Sequence, residues 1–251
     1  MPLDGLARAG TYRRRILIFV ITLAVASCAG GQGAEVATVV YRTGEPTLTG
    51  YLCKPAGPGP FPAVVYNHGG LGHIIGGAPR ETCRALAASG FVGFSPIRRQ
   101  TRPLHGHLDD VMAALSYVRG LDTVDPGSLG MIGFSRGGLL TFMAARSGKD
   151  LRAVVIMASA LGRGHLEAEL TNADAVSAPI LILVAENDTG SRRTRGQNLL
   201  QASRRIDRKL KAAGRPSRLI VYPPHGNDGH TLFYDVGSYW ADVEKFLNKN
   251  L

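Results

Sequence analysis

The sequence predicts an α/β fold: a mostly parallel central sheet flanked by helices, opened by an antiparallel hairpin and carrying no large cap domain. Three observations carry this expectation. From residue 36 onward short β-rich runs alternate with helical patterns, an order that gives a parallel sheet covered on both faces. The runs 36–42 and 48–54 flank the turn Thr43-Gly44-Glu45-Pro46, which suggests a hairpin. The 251 residues, 45% hydrophobic and 19% charged, can bury one sizeable core but fall short of two large domains.

The elements follow in order. After the hairpin come a strand over 63–67, a helix over 80–89 and a strand over 91–95. The helix over 108–119 is read from Val111, Leu115 and Val118, apolar positions at helical spacing. A strand at 129–134, a helix at 137–146 and strands at 153–158 and 180–185 come next. A long helix near 194–213, a strand at 218–222 and a last helix near 236–248 complete the chain. The stretch between Ala160 and Pro179 has room for a short helix around 166–170 and no more, which predicts an open or shallow site. In a sheet of this kind chemistry belongs to the loops at the carboxyl ends of the strands.

The first residues stand apart from the fold. Arg13-Arg14-Arg15 precede an apolar run from Ile16 to Ala26, short for a bilayer span but suited to the hydrophobic region of a secretory signal. Val25-Ala26-Ser27-Cys28 resembles the bacterial lipobox, which implies lipidation of Cys28 and an exported protein anchored to a membrane by its N-terminus. An ordinary signal peptide cut nearby, or an uncleaved anchor, would also export the chain. The expected organisation is a leader over 1–27, a flexible Gly-rich tether over 28–35 and one domain over 36–251. Cys53 and Cys83 could pair in an oxidising compartment or remain isolated buried thiols.

The formal charge is +10, and loss of the leader would take away four arginines and one aspartate, leaving +7. Lys and Arg are scattered, and at 7% aromatic content no basic stretch is interleaved with stacking residues, so a nucleic-acid partner is not expected. A basic surface suits acidic substrates or anionic head groups instead. The basic face of the long helix, Arg204, Arg205, Arg208, Lys209 and Lys211, is either solvated or set against anionic lipid.

Chemistry enters with Gly133-Phe134-Ser135-Arg136-Gly137, which fits the G-x-S-x-G elbow and lies where it must, between an apolar strand and a helical run. A tight strand-to-helix turn pushes the Ser135 hydroxyl into the open, and the following helix aims its N-terminal amides at developing negative charge. Asn67-His68-Gly69-Gly70-Leu71-Gly72 follows an earlier strand and resembles the His-Gly-Gly oxyanion loop of esterases and peptidases. That resemblance implies main-chain donors from Gly70 or Leu71 and from Arg136, while the position of His68 before the glycines suits a loop-bracing hydrogen bond better than a catalytic role. A base for Ser135 is sought in a late loop, where His225 and His230 follow the strand at 218–222. Tyr222-Pro223-Pro224 and Gly229-His230-Thr231-Leu232-Phe233 are similar to the corresponding segments of dienelactone hydrolase-like and prolyl oligopeptidase-like enzymes, favouring His230 and leaving His225 as a pocket or loop residue. The run Ala185-Glu186-Asn187-Asp188 resembles their acid-bearing turn, favouring Asp188 over Glu186.

The chain thus resembles the α/β-hydrolase superfamily over nearly all of residues 45–250, with its three motifs in order. Two departures matter: strict dienelactone hydrolases place Cys where this chain has Ser135, and the loop after Asp188 reads Thr189-Gly190-Ser191-Arg192 in place of a hydrophobic-Pro continuation. The resemblance implies a serine hydrolase that cleaves carboxylic esters through an acyl-enzyme, with no metal or organic cofactor and a small ester or short peptide as substrate. A peptidase, or a non-catalytic binding protein on the same fold, is the alternative. Arg98, Arg99 and Arg102, with His105 and His107, follow the strand at 91–95 and are candidates for recognising a substrate carboxylate or for a solvated basic loop.

Overall fold

The computed structural model describes Met1 and residues 34–70, 73–147 and 150–251. The chain divides into two units, Met1–Gln32 and Gly33–Leu251. The leader, the candidate lipidation site Cys28, most of the tether and the candidate donor Leu71 lie outside the described residues.

Among the described residues eight strands form one sheet in the order β1-β2-β4-β3-β5-β6-β7-β8: β1 (Ala37–Arg42), β2 (Leu48–Cys53), β3 (Phe61–Asn67), β4 (Val92–Pro96), β5 (Val124–Phe134), β6 (Ala153–Met157), β7 (Ile180–Ala185) and β8 (Ser217–Tyr222). β1 and β2 form the expected antiparallel hairpin, and β2 joins β4 antiparallel. All other pairings are parallel. The central strands read as continuous apolar runs because both of their faces are covered. Alternate side chains divide between two apolar layers, Val65, Met131, Val154 and Ile182 on one face and Val64, Ile132, Val155 and Leu181 on the other.

Among the described residues six α-helices flank the sheet: α1 (Pro79–Ala88), α2 (His107–Arg119), α3 (Arg136–Arg146), α4 (His165–Leu170), α5 (Leu199–Ala212) and α6 (Trp240–Asn250). Val111 and Leu115 of α2, Leu139 and Leu140 of α3 and Ile206 and Leu210 of α5 pack the first layer. Leu86 of α1 and Val243 and Leu247 of α6 pack the second. The long helix starts at Leu199, the first residue of its apolar line, and not near 194 as expected. Arg195 and Gly196 take left-handed φ of 54° and 75°, which breaks the helical run. Asn198 then caps α5, its side chain accepting from the Gln201 N–H at 2.8 Å.

Cys53 at the end of β2 and Cys83 in α1 are joined as a disulfide, with Cα atoms 5.6 Å apart. Both are fully buried, with Ala87 completing a small apolar cluster. Of the two alternatives open in the sequence, the structure adopts pairing.

The topology also fixes where a site can form. The chain leaves β3 for β4 on one side and returns to place β5 on the other, so the loops after β3 and β5 diverge and a crevice opens between them. His68-Gly69-Gly70 leaves one of these strands and Ser135 the other.

Candidate active site

Ser135 sits between β5 and α3 with φ 54° and ψ −115°, a strained conformation for a non-glycine residue and typically worth about 1–3 kcal/mol. The surrounding backbone holds it there. Its N–H donates to the Met157 carbonyl at 2.9 Å, and its carbonyl accepts from Ala160 at 2.9 Å and Leu139 at 3.2 Å. The flanking glycines are steric requirements. A Cβ on Gly137 would fall 1.9 Å from the Asn67 carbonyl oxygen, and one on Gly133 would fall 2.2 Å from that of Gly137. Because helix and strand touch backbone to backbone, the turn is tight and the hydroxyl stands at its apex.

The loops after β7 and β8 deliver the partners. Asp188 lies in the turn after β7, and its carbonyl accepts the N–H groups of Leu199 and Leu200 at the start of α5, both at 2.9 Å. His230 is the second residue of a 3-10 turn, Gly229–Phe233, and its N–H donates to the Asp228 carboxylate at 3.1 Å. The His230 imidazole stacks on Phe134 with ring centroids 4.7 Å apart. Its Nε2 lies 3.1 Å from Ser135 Oγ and its Nδ1 lies 2.9 Å from Asp188 Oδ2. Asp188 and His230 are 1% and 3% exposed, so their ion-dipole contact works in a low local dielectric. This array can draw the hydroxyl proton onto the imidazole while the carboxylate fixes the ring's orientation and tautomer.

The glycine loop meets Ser135 from the β3 side. Gly69 pairs with Gly76 in a two-way backbone bridge at 2.8 and 3.2 Å, and a Cβ on Gly69 would meet the Ser135 Cβ at 3.1 Å. Gly70 has φ +87°, and there a Cβ would fall 2.0 Å from the Ile74 carbonyl oxygen. Gly70, Ser135, Arg136 and His230 line one cleft of about 1660 Å³. Arg136 is the first residue of α3, so its N–H has no carbonyl partner within the helix.

Two of the expected substrate-binding residues are elsewhere, which corrects the sequence expectation. Arg98 is 5% exposed and turned under the glycine loop, where its Nη2 donates to the His68 carbonyl at 2.7 Å. Burial, then the charge of Arg136, lowers the Arg98 pKa to about 10. Arg99 turns to Asp110, a fully buried carboxylate of α2 that accepts from Arg99 N, Nε and Nη2 at 3.0, 2.9 and 2.5 Å. A buried carboxylate needs a charged partner, and the fork of Arg99 supplies it. Asp110 is therefore an internal anchor as well as a helix-start residue. Arg102 and His105 do line the cleft.

His225 is also away from the cleft. It is exposed, and its N–H donates to Asn187 Oδ1 at 2.9 Å. His68 is buried beside Arg98 with Nδ1 2.6 Å from the Gly69 carbonyl. Burial first and the Arg98 charge second push its pKa down to about 3, so it is a neutral brace.

Asn187 was missed at the sequence level. Its amide donates to the His225 and Gly226 carbonyls at 3.3 and 3.1 Å, tying the His230-bearing loop to the turn that holds Asp188. Also missed were Arg163 and Arg195, which line the cleft from the loops after β6 and β7. Their position just past strand ends was the available signal.

Among the described residues no group of three or more His, Cys, Asp or Glu side chains could hold a metal ion, and no helix is long and apolar enough to cross a membrane.

The profile of the Dienelactone hydrolase family matches residues 97–235, more than half of the chain. A Bacillus subtilis protein named as an uncharacterized peptidase, YtmA, is 26% identical over 121 residues, which are 45% of this chain and 47% of that protein. The chain thus aligns with about half the length of this curated relative. Among solved structures, the Pyrococcus horikoshii acylaminoacyl peptidase superposes with a TM-score of 0.71 at 16% identity, covering 88% of this chain and 42% of its own. A putative dienelactone hydrolase from Klebsiella pneumoniae gives 0.64 at 20% identity over 86% of this chain and 98% of its own. A Pyrobaculum calidifontis esterase gives 0.64 at 19% identity, covering 86% and 84%. These structures share the α/β-hydrolase fold with this chain.

Proposed function

The chain belongs to the dienelactone hydrolase family, and from that premise we propose that this hydrolase is a serine hydrolase cleaving carboxylic esters through an acyl-enzyme on Ser135. The observation that carries the reading is the hydrogen-bonded series Ser135 Oγ, His230 Nε2, His230 Nδ1 and Asp188 Oδ2 at 3.1 and 2.9 Å.

Ser135 Oγ attacks the ester carbonyl carbon while His230 Nε2 takes the hydroxyl proton. Asp188 accepts the Nδ1–H and stabilises the imidazolium that forms. Negative charge on the carbonyl oxygen is met by the Arg136 N–H at the start of α3 and by an N–H of Gly70 or Leu71. As the tetrahedral species collapses, the C–O bond to the alcohol breaks and His230 returns its proton to the departing oxygen. Water then attacks the acyl-enzyme with His230 again acting as base, releasing the acid and restoring Ser135.

A second reading, cleavage of short peptides, is favoured by the peptidase names of the Bacillus relative and the Pyrococcus structure. The chemistry at Ser135 would be the same with an amine as leaving group. Export with a lipid anchor at Cys28 completes the proposal. Arg13-Arg14-Arg15, the apolar run and the small residues before Cys28 support it, and the Cys53–Cys83 disulfide suits an oxidising compartment.

The test is fluorophosphonate labelling of the purified protein, followed by turnover of 4-nitrophenyl acetate and of aminoacyl 4-nitroanilides. Labelling at Ser135 that is lost in His230→Ala, with ester turnover well above anilide turnover, is expected. A folded wild type that neither labels nor turns over either substrate refutes the reading, and faster anilide cleavage selects the peptidase.

A further inference from the structure

The cleft around Ser135 has an unusual charge inventory. Seven arginines line it against one carboxylate, Glu167. Arg205 is engaged by Glu167, and Arg193 pairs with Asp228 at 3.4 Å. Arg102, Arg136, Arg163, Arg192 and Arg195 have no acidic partner within 4.0 Å among the described residues.

Three of these five are grouped beside the nucleophile. Arg136 follows Ser135 directly, Arg163 lies in the 3-10 turn Gly162–Gly164 after β6, and Arg195 lies in the loop after β7. Burial and the charges of Arg195 and Arg163 together lower the Arg136 pKa to about 10, so the three guanidinium groups sense one another. Arg136 Nε and Nη1 are buried atoms with no hydrogen-bond partner among the described residues. A shared clamp holds the two arginine-bearing loops. Gln197 Oε1 accepts the Leu161 N–H at 2.8 Å, and its Nε2 donates to the Thr194 carbonyl at 2.8 Å. Arg163 and Arg195 both hold left-handed φ, 56° and 54°, in the loops so joined.

Like charges gathered in a half-enclosed cleft repel one another, and unpaired buried N–H groups are costly. Both costs are relieved by a ligand that brings acceptor oxygens and negative charge, for which the planar guanidinium fork is well matched. The cleft also exceeds the roughly 300–1,000 Å³ typical of small-molecule pockets, leaving room for more than the reacting ester. We infer that the site selects polyanionic esters, in which the scissile acyl group is carried on a molecule bearing two or more carboxylate, phosphate or sulfate groups, held by Arg136, Arg163 and Arg195. The inference rests on the serine hydrolase reading for its chemistry but on the arginine cluster for its specificity.

The experiment compares, on the full chain, 4-nitrophenyl butyrate with the mono-4-nitrophenyl ester of tricarballylate, which keeps two free carboxylates. It also measures inhibition of butyrate hydrolysis by tricarballylate and tripolyphosphate, which rank carboxylates against phosphates. A kcat/KM for the dianionic ester about tenfold or more above that for butyrate is expected, shrinking toward parity as NaCl rises from about 20 to about 500 mM. Both polyanions should inhibit, and the double variant Arg163→Gln/Arg195→Gln should collapse the anionic-to-neutral ratio. Equal use of the two esters, no inhibition by either polyanion, or a double variant that loses both activities in proportion overturns the inference and leaves the hydrolase intact. If the folded wild type hydrolyses neither ester and resists fluorophosphonate, the hydrolase reading fails instead. Calorimetric titration with tripolyphosphate then decides the cluster alone: binding lost in the double variant upholds an anion site, and no binding overturns it.

Discussion

Gly70→Ala is the perturbation whose consequence is most directly computable. The added Cβ would sit 2.0 Å from the Ile74 carbonyl oxygen, 2.7 Å from its carbon and 2.9 Å from Gly76 N. Comfortable non-bonded separations start near 3.5 Å, so backbone must yield by about 1–1.5 Å, and no flexible side chain can absorb the change. The left-handed φ of +87° adds about 1–2 kcal/mol for any residue with a Cβ. Gly76 is the residue that bridges Gly69, so the displacement enters the loop that faces Ser135. A misplacement of about 1 Å can cost on the order of a hundredfold in rate, and outright loss of one oxyanion donor costs about a hundred- to a thousandfold. The expected result is a kcat on 4-nitrophenyl acetate lowered about a hundredfold, with KM changed little and stability reduced by roughly 1–3 kcal/mol. Steady-state kinetics and thermal unfolding on the same preparation separate these effects. A folded Gly70→Ala whose kcat stays within about threefold of wild type would refute the assignment of this loop to the oxyanion.

Asp188→Asn keeps the shape of the acid but offers His230 the wrong hydrogen-bonding partner, and kcat should fall roughly a thousand- to ten-thousandfold with slowed fluorophosphonate labelling; a loss below about tenfold would show that another group orients the ring. Cys53→Ser/Cys83→Ser opens a loop of sequence separation 30, which should cost roughly 3–4 kcal/mol and lower Tm by about 10 °C, while activity of the folded protein at 25 °C stays near wild type; an unchanged Tm contradicts this. His68 and His107 are buried neutral, with pKa values pushed down to about 3 and about 4 by burial first and Arg98 second. The unfolded chain binds protons near pH 6.5 that the folded chain refuses, so stability should drop on acidification from 6.5 toward 4, by up to about 1.4 kcal/mol per pH unit for each histidine. Urea midpoints at pH 7 and pH 5 measure this slope, and a His68→Gln/His107→Gln variant with an undiminished slope would sink the explanation.

Much of the fold was legible because burial writes itself into short apolar runs. Strands β3, β6 and β7 and the second half of β5, from Leu129, are covered on both faces and read as apolar runs, whereas the first half of β5, with Asp125, Pro126, Gly127 and Ser128, carries no apolar run and was not read as strand. The start of α5 was not legible either, because Arg195 and Gly196 adopt a left-handed backbone conformation that no periodicity encodes, and the helix begins only at its first apolar position, Leu199. For the site, Ser135, Asp188 and His230 were legible since each stands immediately after a strand or within a short loop from one, where the topology forces convergence.

The arginines divide on a different principle. A charge pattern along the sequence states how many cations a loop carries, not which of them finds a carboxylate. Arg98 and Arg99 share one loop with Arg102, yet a buried Asp110 on α2 captures Arg99 and the His68 carbonyl captures Arg98, leaving Arg102 to the cleft. Each capture depends on an acceptor brought in by another element: α2 supplies one and the glycine loop the other. The same logic runs in reverse at Arg163 and Arg195. Their loops supply no carboxylate for them, and the acidic groups nearby are already committed, Glu167 to Arg205 and Asp228 to Arg193. Fold-level pairing therefore removes Arg98 and Arg99 from the β4 side of the site and leaves Arg102 there, with Arg163 and Arg195 on the β6–β7 side. On the inference drawn above, specificity follows from which arginines the interior fails to neutralise.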